Sequence, residues 1–224
     1  MKEHIGKSTL EVMSAAKWYN KWLIKFIGKY LTGDILEVGC GSGNFSNLLE
    51  KYGNVYGIDI DNIYLKNSGS GNIGYGDVEK GKYFFKKSNF ESIVCFNVLE
   101  HIKNDNVALQ NIYKLLGKDG NFISIVPAHD FLYSRFDKSL GHYRRYNLGE
   151  YKSKLELAGF KIKEIRYFNW WSFFGWLVFI KLAGKGTVPA APVKIFDILG
   201  RFFIGIEKFI KPPFGLSVLA VVTK

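Results

Sequence analysis

The stretch "DILEVGCGSGNFSNLLEKYGNVYGIDID", residues 34–61, decides the fold. An apolar run runs into Gly39, Gly41 and Gly43, and Asp59 follows sixteen residues after the last of them. A strand, a glycine-rich turn and a helix in that order aim backbone N–H groups at a ligand on the edge of a sheet. An acid ending the next strand then lies beside the first strand, where it can accept hydrogen bonds from both hydroxyls of a ribose. The ligand this predicts is a nucleoside cofactor. The dinucleotide fingerprint G-x-G-x-x-G would need a glycine at 44, where Asn44 stands, so the spacing here is G-x-G-x-G. Glycines that serve only a tight turn are the alternative, and the flanking strand, helix and Asp59 weigh against it.

Working outward, short apolar runs alternate with helical patterns. "DILEVGC", "NVYGIDI", "FESIVCFN", "NFISIVPA", "KIKEIRYF" and "LSVLAVVTK" read as strands. "GNFSNLLEKYG", "NDNVALQNIYKLLGKDG" and "NLGEYKSKLELAGF" between them read as helices. Residues 8–31 read as an amphipathic helix that opens with a capping box, Ser8 and Glu11, and carries Val12, Ala16, Tyr19, Leu23, Phe26 and Tyr30 on one stripe. The alternation predicts α/β architecture: a Rossmann-like, seven-stranded, mostly parallel sheet covered on both faces, its last strand antiparallel. The 224 residues suit a single domain over 1–224, and the 47% apolar content supplies a core.

Residues 167–213 differ in character and read as an inserted helical cap or a membrane-facing subregion. "YFNWWSFFGWLVFI", 167–180, carries no charge but is too short to span a bilayer, which takes roughly 18 residues or more. "VKIFDILGRFFIGIEKFIK", 193–211, reads as an amphipathic helix with a mostly basic polar face. Packing on the sheet or on a second subunit is the alternative. The net charge of +11 points to an anionic partner, or simply to a basic surface. The two cysteines, Cys40 and Cys95, sit in apolar strand patterns and predict reduced thiols in a cytoplasmic protein. Charges in "MKEHIGKSTLEVMSAAKWYN" stand where a signal peptide needs an apolar core.

With these segments in order, residues 31–165 resemble the class I S-adenosylmethionine-dependent methyltransferases. "ILEVGCGSGNF" resembles the first motif of that family and "VYGIDI" the second. "GDVE", 76–79, stands where the family has an acid beside the adenine. "FESIVCFNVLEHI" and "LLGKDGNFISIVP" resemble the segments around the fourth and fifth strands of the small-molecule branch. The resemblance implies S-adenosylmethionine as cofactor. Glu37 and the loop of Gly39, Gly41 and Gly43 would hold the methionine part, Asp59 the ribose, and Asp77 the adenine amine. Asn97, past the fourth strand, belongs to the implied cofactor set, and Tyr19 with Trp18 on the first helix would close over it, unless they only pack. A sulfonium cofactor needs no phosphate cradle, which agrees with the missing third fingerprint glycine.

The acceptor is less legible. Amino-group methylation of bases often uses Asn-Pro-Pro-Tyr or a variant after the fourth strand, and "NVLE", 97–100, departs from it. Neither zinc-ligand spacing nor an RNA-binding motif appears, so nucleic acid is disfavoured. His101 in "LEHIKND", and His129 and His142 in "PAHDFLYSRFDKSLGHYRRYN", are the candidate bases for a hydroxyl acceptor, with capping or packing as their alternative. Tyr143, Arg144, Arg145 and Tyr146 are the candidate acceptor contacts. One arginine is expected to grip an acceptor phosphate or carboxylate and the other a protein carboxylate such as Asp137 or Glu100. The segment resembles one in the ubiquinone-biosynthesis O-methyltransferases, which share a His-x-Tyr-Arg run. The expected reaction is methyl transfer to a small or lipid-linked acceptor, at oxygen. A non-catalytic cofactor-binding protein at the membrane and an NAD-dependent oxidoreductase are the rival readings.

Overall fold

The computed structural model describes residues 17–61, 63, 72–177, 207 and 210–224. In chain order the elements are α1 (Lys17–Ile27), β1 (Asp34–Val38), α2 (Ser46–Leu49), β2 (Asn54–Asp59), β3 (Ile73–Asp77), β4 (Lys82–Tyr83) and β5 (Phe90–Phe96). There follow α3 (Asp105–Leu115), β6 (Leu116–Pro127), α4 (Arg135–Leu140), α5 (Leu148–Leu157), β7 (Lys161–Phe168), α6 (Trp170–Trp176) and β8 (Ser217–Thr223). The strands form one sheet in the order β4-β3-β2-β1-β5-β6-β8-β7.

From β3 across to β6 every pairing is parallel, and β8 runs antiparallel to both β6 and β7. The expected antiparallel last strand is there, slotted between β6 and β7. The two-residue β4 pairs antiparallel with β3 and adds an eighth strand to the expected seven. Neither β3 nor β4 shows the apolar alternation of a strand. Gly74 and Gly76 sit in β3 because side chains there would strike Phe84 and Ile58, each 2.6 Å from the nearest Cβ position.

Alternation along the strands divides the core between the two faces of the sheet. Leu36, Ile93, Cys95 and Phe122 pack against Ala108, Leu109 and Ile112 of α3 and Tyr151 and Leu155 of α5. Their neighbours Ile35, Val94 and Ile123 point the other way, onto Leu23, Ile24 and Ile27 of α1. Cys40 and Cys95 are buried free thiols. The proposed cap of 167–213 starts differently from the single run expected. Tyr167 and Phe168 end β7, Asn169 takes a left-handed φ of 59°, and only then does helix α6 begin. Ser8, Glu11, Val12 and Ala16 of the first helix lie outside the described residues, as does most of the 193–211 helix. Among the described residues no helix is long and apolar enough to cross a membrane.

Candidate active site

In an open parallel sheet, ligands bind beyond the carboxyl ends of the strands, where the strand order reverses. Here that point lies between β1 and β5: chain connections run from β1 outward to β2 and β3, and from β5 the opposite way to β6. Every candidate site residue except Tyr19 lies at or beyond the carboxyl end of a strand on this edge. Asp77, Asp59 and the glycine loop end β3, β2 and β1, while Asn97 to His101 and residues 128–146 follow β5 and β6.

The cofactor side is built of backbone. Gly39, Gly41 and Gly43 adopt φ of 75°, 51° and 80°, values that other residues rarely take. The N–H groups of Gly39 and Cys40 donate to Ile58 O at 2.8 and 3.1 Å, which ties the loop to β2. A Cβ at Gly39 would collide with Val98, whereas one at Gly41 would meet no protein atom within 4 Å. Gly41 therefore faces room for a ligand, and its N–H donates to Asp59 Oδ2 at 2.9 Å. Asp59 Oδ1 accepts from Asp61 N at 2.9 Å, so the carboxylate is aimed at the loop's rim by the backbone on both sides. Burial raises the pKa of Asp59.

Glu37, at the end of β1, is buried and accepts from the Ser46 hydroxyl. Burial, tempered by that bond and aided by Asp59, pushes its pKa up to about 8. Asp77 accepts from Glu79 N and Lys80 N, both at 3.0 Å, and pairs with Lys80 Nζ at 3.0 Å. Burial opposes its ionisation, but those partners hold its pKa below the usual range. Asn97 is exposed, with a left-handed φ of 53°, at the first turn after β5. Tyr19 is half-buried on α1 and its hydroxyl accepts from Asn169 Nδ2 at 2.9 Å. These residues fit an S-adenosylmethionine molecule: a left-handed loop with open space at Gly41, the Asp59 carboxylate at the end of the neighbouring strand and acids on either side.

The acceptor side is built of side chains. His101 and His142 meet edge to face with ring centroids 4.6 Å apart. Asp137, fully buried at the first turn of α4, faces His142 Nδ1 at 3.0 Å and Arg145 Nε at 2.8 Å. Its other oxygen accepts from the Ser134 N–H and hydroxyl, both at 2.9 Å. Burial disfavours the Asp137 charge, but His142, Arg145 and Ser134 outweigh it and lower its pKa. An ionised carboxylate only accepts, so His142 Nδ1 carries a proton, and in the neutral ring Nε2 is the nitrogen with the lone pair. His101 presents surface to solvent, yet it is crowded by protein; desolvation first and His142 second push its pKa down to about 4. His129 stands apart from this pair. It has φ 62°, stacks on Tyr167 at 4.7 Å, and among the described residues has no partner for Nε2.

Both arginines of the run carry a carboxylate partner within the protein. Arg145 does pair with Asp137, and its guanidinium also lies 4.4 Å over the Trp176 ring. Arg144 is paired too, with Asp105 Oδ1 at 2.7 Å and Lys103 O at 2.6 Å. Asp105 also accepts from Lys154 Nζ at 3.0 Å and from the Tyr146 hydroxyl at 2.9 Å. Two cations share that carboxylate, so the cluster keeps a net positive charge. Tyr146 is wholly buried in this network, whereas Tyr143 is 56% exposed. Asp130, Tyr133, Tyr143, Arg144 and Arg145 line a hollow on this loop. Asp105 was missed by sequence reading, because a first-turn helical acid reads as a dipole partner. Glu100 was noted only as an arginine partner. It is 1% exposed, and apart from a loose approach to its own N–H neither oxygen has a hydrogen-bond partner. Burial raises its pKa to about 8.

A glycine loop and acids along one half of the edge, with a histidine-bearing loop on the other, define a class: Rossmann-like methyltransferase domains. The chain belongs to the methyltransferase-domain family, whose model matches residues 17–165. S-adenosylmethionine is the cofactor of this class. An S-adenosylmethionine-dependent methyltransferase from Archaeoglobus fulgidus superposes with a TM-score of 0.62 at 16% identity, covering 93% of this chain and 94% of that one. Phosphoethanolamine N-methyltransferase 2 of Haemonchus contortus, in complex with S-adenosyl-L-methionine, gives 0.61 at 16% identity over 92% of this chain and 52% of that one. In sequence, the chain is 22% identical over 152 residues to juvenile hormone acid O-methyltransferase of Bombyx mori, covering 62% of this chain and 54% of the relative. The chain spans about half the length of the curated relatives it matches.

Proposed function

We propose that this protein transfers a methyl group from S-adenosylmethionine to an oxygen of a small or lipid-linked acceptor, bound between the glycine loop and the 128–146 loop. The observation that carries the reading is the His101–His142 pair, with Asp137 fixing the His142 tautomer, on the same sheet edge as the glycine loop. When bound, the cofactor supplies an electrophilic methyl on a sulfonium. The chain's residues then have three tasks. Asp59, Glu37, Asp77 and the loop orient the cofactor, with Tyr19 and Asn97 at its margins. His142 takes the acceptor's hydroxyl proton at Nε2, since Nδ1 is committed to Asp137, and His101 shields that exchange. Tyr143 and Arg144 meet the acceptor, while Arg145 and Tyr146 position the loop through Asp137 and Asp105. Most of the rate gain in such a displacement comes from alignment and exclusion of water.

The likeness to an O-methyltransferase of an organic acid favours oxygen, and the net positive cluster around Arg144 favours an anionic acceptor. An apolar portion of the acceptor is supported by Phe131 and Phe174, 56% and 51% exposed, which cluster with Phe173, Phe214 and His129 beside the loop. The same aromatics support peripheral contact with anionic bilayers. Formation of S-adenosylhomocysteine with a panel of phenols, carboxylic acids and amines tests the reaction. Turnover with hydroxyl or carboxyl acceptors is the expected result, and turnover confined to amines would move the reaction to nitrogen. Failure of every acceptor despite cofactor binding would favour a non-catalytic cofactor-binding protein. Thermal stabilisation by NAD in place of S-adenosylmethionine would favour the oxidoreductase. Sedimentation with phosphatidylserine vesicles at low salt tests the membrane contact; protein left in the supernatant would remove it.

A further inference from the structure

Glu100 poses a problem that the methyl-transfer reading leaves unsolved. A carboxyl group 1% exposed, with no hydrogen-bond partner for either oxygen among the described residues beyond the loose approach to its own N–H, is costly unless something fills the gap. Near it lie the Arg145 and Asp137 charges and the rings of His101 and His142, and one ligand-capable atom from each of Glu100, His101 and His142 lies within 4.8 Å of the others. We propose that Glu100, His101 and His142 form a binding site for a divalent first-row transition-metal cation.

Four features support a cation. The donor set of two imidazoles and one carboxylate is the set that suits Zn²⁺, Fe²⁺ or Co²⁺, with positions left open for a further ligand. Bonds of about 2.0–2.2 Å put neighbouring donor atoms roughly 3–3.5 Å apart, so side-chain rotations of an ångström or so close the present spacing. Asp137 holds His142 by Nδ1, which leaves Nε2 for a metal, the carboxylate–histidine–metal arrangement that orients ligands in known sites. Exposure of His101 gives the cation an entry path. Glu100 and His101 share the short turn after β5, and His142 comes from the loop after β6. Tyr143 N–H donates to Glu100 O at 2.8 Å and pins the two segments together. The cation would thus clamp the acceptor loop onto the switch point.

In catalysis, a bound cation would lower the pKa of an acceptor hydroxyl so that its proton leaves to solvent, with His142 serving as ligand in place of base. That use rests on the methyl-transfer reading, but the site does not. The test is a Co²⁺ titration of the full-length, chelator-stripped protein, followed by its visible absorption, with Zn²⁺ as competitor and S-adenosylmethionine affinity measured on the same samples. One tight site per chain is expected. Glu100→Gln, His101→Gln and His142→Gln should each weaken it by more than about 10-fold, and Asp137→Asn by roughly 10- to 100-fold. His129→Gln should leave it unchanged. No stoichiometric binding, or binding indifferent to Glu100, His101 and His142, overturns the site. Because cofactor affinity is read separately, loss of the metal site with cofactor binding intact leaves the methyltransferase reading standing. A variant that fails to bind cofactor has lost its fold and is replaced by the corresponding Ala variant.

Discussion

The two halves of the site edge are made in opposite ways. Along β1, β2 and β3 the edge rests largely on backbone: left-handed glycines, N–H groups aimed by short turns, and the Asp59 and Asp77 carboxylates held by N–H groups. Past β5 and β6 it rests on side chains from distant segments. Arg145 meets Asp137, Arg144 meets Asp105, and His142 meets His101. A backbone site suits a ligand common to a whole class, since few side chains can be exchanged to alter it. A side-chain site can be re-specified by substitution. The difference predicts that changes to the second half alter turnover and stability, whereas changes to the first alter cofactor affinity.

The largest expected effect is at Asp137. Asp137→Asn leaves the Arg145 guanidinium, 2% exposed, without its counter-charge, and should cost about 3–5 kcal/mol in urea unfolding. A cost below about 1 kcal/mol would show that the two halves do not differ in this way. Next is His142→Ala. It should lower turnover by roughly 10²-fold or more while S-adenosylmethionine affinity stays near wild type. Equal, small changes in both would reduce the acceptor loop to scaffolding.

A third effect belongs to the cofactor half and appears in pH. Glu37 titrates at about 8 in the folded protein, against an ordinary 4.5. The folded state therefore binds that proton more tightly than the unfolded state. The stability it contributes is complete below pH 4.5 and is lost as pH rises through 8. Cofactor-free protein should melt at falling temperature across that window, and Glu37→Gln should flatten the fall. An identical slope in the variant would assign the effect elsewhere. The smallest effect is at Arg144, 26% exposed. Asp105 keeps Lys154 and Tyr146 after Arg144→Ala, so stability should change by about 1 kcal/mol or less. The Michaelis constant for an anionic acceptor should rise several-fold, and an unchanged constant would remove Arg144 from the acceptor contacts.

The same contrast explains what could be read in the sequence. The glycine loop and Asp59 fall within 28 consecutive residues, and their spacing encodes their geometry. Strands with alternating apolar residues were equally legible. β3 was not, because Gly74 and Gly76 answer to crowding by Phe84 and Ile58, which only the folded sheet reveals. The uncharged run from Tyr167 hid a strand end and a helix start, separated at Asn169 by a backbone angle that composition does not encode. In "HYRRY" the residue types signalled a site, but the partners of Arg144 and Tyr146 lie on α3, about 40 positions away in sequence. Such pairs are set by which loops the sheet order brings together. Glu100 looked like an ordinary acid until its burial without a partner was seen.

The most direct test of the central claim is calorimetric titration of S-adenosylmethionine into wild-type protein and Asp59→Ala. We predict one site per chain. The substitution should weaken it by about 1.5–3 kcal/mol, the range for hydrogen bonds to a charged group, with the acceptor-side network and thermal stability nearly unchanged. Absence of binding to the wild type, or equal affinity in the two proteins, would contradict the assignment of this edge of the sheet to the cofactor.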